Sequence, residues 1–202
     1  AVVREMATSK DGTRVPVNVI RKKGTALDGR NPTLLYGYGG YGISQEPRFL
    51  GATFRAWFDA GGVFAIANIR GGGEFGETWH AEGALTHKQN VFDDFAAAAE
   101  WLIDAHYTSS DELAMLGGSN GGLLMGAMIT QHPGLARAVV SEVGIYDMLR
   151  VELDPNGAFN TTEFGTVQHA DEFRALYAYS PYHHVVDRTA YPAVLMQTGE
   201  ND

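Results

Sequence analysis

The chain has no cysteine at any of its 202 positions. That excludes a disulfide framework, a thiolate nucleophile and a thiolate metal site. A cysteine-free chain is compatible with cytoplasm and periplasm alike. Long apolar runs are also missing. No window approaches the roughly 20 residues that cross a bilayer, and the start Ala1-Val2-Val3-Arg4-Glu5 lacks the pattern of a signal peptide. Basic side chains are in deficit, 15 Lys and Arg against 24 Asp and Glu, for a net charge of −9. With a pI near 5.2, neither nucleic acid nor an anionic membrane is expected as a partner. No metal or other cofactor is expected either, since the one adjacent histidine pair, His183-His184, does not converge in regular structure.

Glycine, in contrast, is abundant at 25 residues, and its placing is informative. Ala114-Met115-Leu116-Gly117-Gly118-Ser119-Asn120-Gly121-Gly122 is a short apolar run followed by a serine framed by glycines. A helix-like segment then runs to about Gln131. This is the G-x-S-x-G nucleophile elbow in the context it requires, strand before and helix after. Gly117 and Gly121 remove β-carbons that would collide in so sharp a turn, leaving Ser119 to project at the end of a strand. A glycine-rich loop with a capping serine is the plain alternative, and the flanking pattern argues against it.

The 45% apolar composition is enough for one packed core. Val15, Val17 and Val19 alternate as a strand. Thr33 to Tyr36 is a short apolar run ending in the loop Gly37-Tyr38-Gly39-Gly40-Tyr41-Gly42. Phe49 to Ala60 has helical spacing, and Gly62 to Ile69 reads as a buried strand. Val91, Phe95, Ala98, Ala99 and Leu102 share a helix face, with Asp93, Asp94 and Glu100 mostly on the other. Leu113 to Leu116, 138 to 140 and Ala193 to Gln197 read as further strands. Gly144 to Thr166 reads as a looser region, and Asp171 to Tyr177 as helical. Strands alternating with helices predict an α/β fold, a mostly parallel sheet with helices on both faces.

Gly71-x-Gly73-x-x-Gly76 matches the dinucleotide fingerprint literally, but Glu77-Thr78-Trp79-His80 leads towards Gly83 without a periodic helix. A backbone turn packed near the elbow is the better reading. In an α/β hydrolase the loop at the position of Tyr36 to Tyr41 helps to build the oxyanion hole. The Tyr38 hydroxyl is one candidate donor and the Asn120 backbone N–H another. For the triad acid, Asp202 follows the last strand, with Glu200 as a competitor by position. None of His132, His169, His183 and His184 reads as the base.

These residues resemble the catalytic domain of the prolyl oligopeptidase family of serine peptidases over essentially the whole chain. The matching strings are 9–13 (SKDGT), 36–40 (YGYGG), 67–80 (ANIRGGGEFGETWH), 88–90 (KQN), 117–122 (GGSNGG) and 179–181 (YSP), in the family's order. The resemblance implies an α/β-hydrolase fold, a Ser-Asp-His triad, hydrolysis of short peptides and an N-terminal β-propeller that screens substrate size. By position, Ser119 is the nucleophile, Asp202 the triad aspartate, and Tyr38 with the Asn120 amide the oxyanion hole. Tyr41 and Ile145 match positions lining the pocket for the residue before the scissile bond. The family's pocket tryptophan falls at Asn160, which leaves Tyr41 and Phe164 to supply aromatic surface and implies a broadened proline preference.

On that resemblance, residues 1–202 are part of a catalytic domain, residues 1–13 are its entry segment, and the family's catalytic histidine lies beyond Asp202. The 202-residue chain alone is therefore expected to be nearly inactive. Two other readings share the elbow. An esterase or acyl transferase differs only in the acyl group accepted, and a non-catalytic pseudo-hydrolase would bind without turning over.

Overall fold

A computed structural model of the protein describes residues 1–46, 48–155 and 157–200. Seven strands form one sheet in the order β1-β2-β4-β3-β5-β6-β7. Strands β1 (Val2–Thr8) and β2 (Arg14–Ile20) make a hairpin, and β2 runs antiparallel to β4 (Val63–Ala67). From β4 onward the sheet is parallel, through β3 (Thr33–Gly37), β5 (Leu113–Gly118), β6 (Ala138–Glu142) and β7 (Ala193–Gln197). The all-apolar β4 is buried along its whole length, as expected of a strand inside a parallel sheet.

Two helices cover one face: α3 (Gln89–Asp104) and α4 (Asn120–Gln131). Their buried side chains, among them Phe95, Leu102, Leu123 and Leu124, join Leu35, Val63, Ala65, Met115 and Val139 in one core. Alternate residues of β4 point the other way. There Phe64 meets Phe54 of α1 (Gly51–Asp59) at 4.5 Å between ring centroids. Among the described residues the other α-helices are α2 (Glu77–Ala81), α5 (Gly157–Phe164) and α6 (Ala170–Tyr179).

Three details differ from the sequence reading. A five-residue helix, α2, does follow Gly76. The stretch read as loose between 144 and 166 contains α5 and a 3-10 turn at Val151–Leu153. Short helices with few periodic positions carry too little pattern to be seen in sequence. Asp94 is the third. It lies within the buried part of α3 and is fully buried itself, because Arg70 comes to it from the end of β4. Arg70 donates to both Asp94 oxygens, from Nη2 at 2.6 Å and Nε at 2.9 Å, and its Nη1 reaches Asp11 at 2.7 Å.

Among the described residues, strand β7 pairs only with β6 and is exposed at all five positions, including Val194, Leu195 and Met196. A bare apolar edge strand is a template for association. The 202-residue polypeptide prepared alone is expected to self-associate, with the weight-average mass in sedimentation rising with concentration. A monodisperse monomer at all concentrations would contradict this.

Candidate active site

Four loops converge at the carboxyl edge of the parallel strands, where open α/β sheets place their ligand sites. They follow β3, β5, β6 and β7, and with residues of α5 they line a cleft of about 1230 Å³. Ser119 sits at its floor between β5 and α4. Its backbone is at φ 57°, ψ −118°, a conformation costly for any residue but glycine. The turn holds because its surroundings over-determine it. The Ser119 N–H donates to the Glu142 carbonyl at 2.8 Å, and its carbonyl accepts from Gly122 and Leu123. A β-carbon at Gly117 would run into the Gly121 carbonyl, so the elbow closes only with glycine there. The side chain is left exposed at the cleft floor.

Backbone strain concentrates around this cleft. Three residues lining it have positive φ without being glycine: Tyr41 (55°), Ser119 (57°) and the β-branched Val143 (44°). Val143 is pinned by its N–H to the Gln197 carbonyl at 2.7 Å. Strained residues of this kind collect at functional sites, where rigid surroundings fix a geometry that free chain would not hold.

Facing Ser119 is the loop after β3. The half-buried Tyr38 hydroxyl has its pKa pushed up by burial, an effect that its hydrogen bond with Ser119 partly opposes. Asn120 is buried, and its Nδ2 donates to the Tyr38 carbonyl at 2.6 Å. As the first residue of α4, Asn120 has a backbone N–H with no carbonyl partner inside the helix. Gly71, first glycine of the apparent dinucleotide fingerprint, packs against the Gly39 carbonyl so tightly that a β-carbon would overlap it. That glycine run thus packs against and supports the Tyr38 loop.

Of the residues singled out in the sequence, Tyr38, Tyr41, Ser119, Ile145 and Asn160 share the cleft. The Tyr41 hydroxyl donates to Asn160 Oδ1 at 2.6 Å, and burial raises its pKa. Its ring lies parallel to that of Phe159, centroids 6.2 Å apart. Phe164 is fully buried behind Tyr41, edge-on at 6.0 Å, and does not line the cleft. Asp202 lies outside the described residues, although Thr198, just after β7, borders the cleft. Among the described residues no histidine hydrogen-bonds Ser119. His183 does bond a serine, Ser180, at 2.8 Å, and lies 3.9 Å from Asp147. That second Ser-His-Asp grouping has no accessible nucleophile, because Ser180 is fully buried and its Oγ receives the Met148 N–H.

Sequence reasoning missed a buried charge cluster behind the loop. Lys88 Nζ donates to Glu163 Oε1 at 2.9 Å and to the Gly39 carbonyl at 3.1 Å. Glu163 Oε2 meets His80 Nε2 at 2.7 Å. Burial alone would raise Glu163, but the Lys88 charge and the bonds from His80 and Lys88 outweigh it and hold the carboxyl below its ordinary value. Burial pulls Lys88 down against the pull of Glu163. For His80 the bonds to Glu163 and Glu77 outweigh burial and raise it. The only sequence signal was that His80 and Lys88 fall within the matching strings 67–80 and 88–90; Glu163 lies in none of them.

A mostly parallel sheet with a serine on a strained strand-to-helix turn at its carboxyl edge defines a domain of the α/β-hydrolase type. Within that class, the chain belongs to the prolyl oligopeptidase family, whose family model matches residues 48–202. It is 45% identical over 196 residues to a prolyl endopeptidase of Elizabethkingia miricola, covering 96% of this chain and 28% of that protein. A Dictyostelium discoideum prolyl endopeptidase is 44% identical over 195 residues, covering 96% and 26%. Among solved structures, a prolyl endopeptidase superimposes with a TM-score of 0.95 at 51% identity, covering 97% of this chain and 29% of the other. The apo prolyl oligopeptidase B of Galerina marginata gives 0.96 at 37% identity, covering 100% and 29%. The chain thus spans between a quarter and a third of the length of these relatives. No helix among the described residues is long and apolar enough to cross a membrane.

Proposed function

We propose that this chain is the nucleophile-bearing part of a longer serine peptidase that cleaves short peptides. The observation that carries the reading is Ser119 at positive φ, held against the Tyr38 loop at the carboxyl edge of the sheet. In this mechanism Ser119 Oγ attacks the scissile carbonyl while a histidine outside residues 1–202 takes its proton. Asp202 orients that histidine, a role favoured by its place just after Thr198. The carbonyl electrons move onto oxygen, which the Tyr38 hydroxyl and the Asn120 N–H receive. The histidine then gives its proton to the leaving amine, and water releases the acyl group. An N-terminal β-propeller in the remaining length of the protein screens substrate size.

The test is labelling of the full-length protein with a peptidyl phosphonate. Mass spectrometry is expected to place the adduct on Ser119, together with faster hydrolysis of peptide amides than of short-chain esters. An adduct elsewhere would defeat the reading, and an ester preference would favour the esterase alternative. Tyr38→Phe in the full-length protein is expected to lower kcat by about 10²-fold with little change in KM, the scale for one oxyanion donor. An unchanged kcat would remove Tyr38 from the hole.

The pocket for the residue before the scissile bond is formed by Tyr41, Ile145 and Asn160, with Phe164 supporting Tyr41 from behind. Asn160 presents an amide, already engaged by Tyr41, where an indole would offer a flat apolar surface. Asn160→Trp is expected to raise the ratio of kcat/KM for proline over alanine peptides by about 10–200-fold, the equivalent of about 1–3 kcal/mol. A parent that already prefers proline more than about a thousandfold, with no gain from Trp, would contradict this assignment of the pocket.

A further inference from the structure

We infer that Lys88, Glu163 and His80 are positioning residues that hold the Tyr38–Tyr41 loop in register with Ser119, acting on turnover without touching substrate. The inference rests on the serine-peptidase reading above.

The loop is poorly suited to hold itself. Four of its six residues from Gly37 to Gly42 are glycine, which offers the least conformational restraint. Tyr41 is strained at φ 55°. Yet the loop is fastened at three nearly consecutive residues by three different elements. Asn120 of α4 holds the Tyr38 carbonyl, Lys88 at the start of α3 holds the Gly39 carbonyl, and Asn160 of α5, three residues from Glu163, accepts from the Tyr41 hydroxyl. Lys88 is 0% exposed and Glu163 2%. Its ammonium also lies 5.1 Å from the centre of the Phe164 ring.

A buried ion pair is weak evidence for stability, since desolvating both ions offsets most of their attraction. What this pair does supply is direction. The Glu163 carboxylate aims the Lys88 amine at the Gly39 carbonyl, in a site where both charged side chains are buried. His80 reaches in from α2 to occupy the other Glu163 oxygen, which leaves Oε1 to Lys88. Tyr38 is the residue whose hydroxyl must meet the developing oxyanion, and it lies next to the clamped Gly39. Displacement by about 1 Å in a catalytic group costs on the order of 10²-fold in rate, so a loosened clamp shows in kcat.

The experiment uses the full-length protein and measures kcat, KM and the Ki of a peptide aldehyde. In the aldehyde adduct, Ser119 Oγ bonds to the carbonyl carbon and the carbonyl oxygen enters the oxyanion hole, taking up the serine proton. Glu163→Gln, which keeps the shape of the side chain and removes its charge, is expected to lower kcat and weaken the aldehyde by about thirtyfold each, with KM within about twofold. In a Tyr38→Phe background the same substitution is expected to cost less than about threefold, because the two act through one donor. His80→Gln, at a partly exposed site, is expected to show the same pattern at about threefold and decides the matter if Glu163→Gln does not fold. Full additivity with Tyr38→Phe, or equal kcat and Ki to wild type, would overturn the inference. Turnover surviving Ser119→Ala would instead sink the peptidase reading and leave this question a separate one.

Discussion

Ser119→Ala in the full-length protein is expected to lower kcat by about a millionfold, the scale seen when a triad serine is removed from a serine protease. KM is expected to change little, because the substrate-binding walls of the cleft belong to other elements. The turn should survive the change. Ser119 Oγ makes no hydrogen bond on which the elbow depends; its backbone N–H and carbonyl hold the turn. Far-ultraviolet circular dichroism and the thermal midpoint are therefore expected to stay close to wild type. Reactivity with the phosphonate label should vanish entirely. Loss of less than about a hundredfold would mean that another nucleophile does the chemistry.

The second large effect concerns stability. Arg70→Met is expected to destabilise the protein by about 3–5 kcal/mol, since it strands the Asp94 carboxylate in the core with no cation. That is a large share of the total for any domain. Replacing both partners, Arg70→Met with Asp94→Leu, is expected to recover most of the loss, because no charge is then left buried. Urea midpoints of the two variants measure the difference. A single variant within about 1 kcal/mol of wild type would show that Asp94 is satisfied without Arg70. Asp11 adds an acid limb to this. Its hydrogen bond to Arg70, with help from the Thr13 N–H, holds its carboxyl below the ordinary 3.8. A lowered carboxyl stabilises the fold above its unfolded pKa and loses that contribution as pH falls through its folded one. Asp11→Asn should therefore flatten the fall in stability below about pH 4, by a modest amount because the side chain is half exposed.

The parts of this protein legible in its sequence are those governed by short-range rules. The strands from Thr33, Val63, Leu113, Ala138 and Ala193 announce themselves as apolar runs between turn residues. A serine framed by Gly117 and Gly121 marks the elbow, because no other residue tolerates that turn. The family resemblance placed Tyr38, Tyr41, Ile145 and Asn160, and the fold carries them to one cleft through the ends of β3, β6 and helix α5. What depended on contact between distant segments was invisible. Asp94 reads as the polar face of a helix until Arg70, 24 residues earlier, is brought against it. Lys88 and Glu163 are 75 residues apart and look like solvated charges. Only the packing of α5 against the β3 loop buries them together, and burial is what turns two ordinary charges into a clamp. Local sequence thus determined which residue could be the nucleophile, since one steric rule decides that turn. The setting of the loop after β3 was left to tertiary structure, because hydrogen bonds between segments far apart in the chain leave no periodic trace in it.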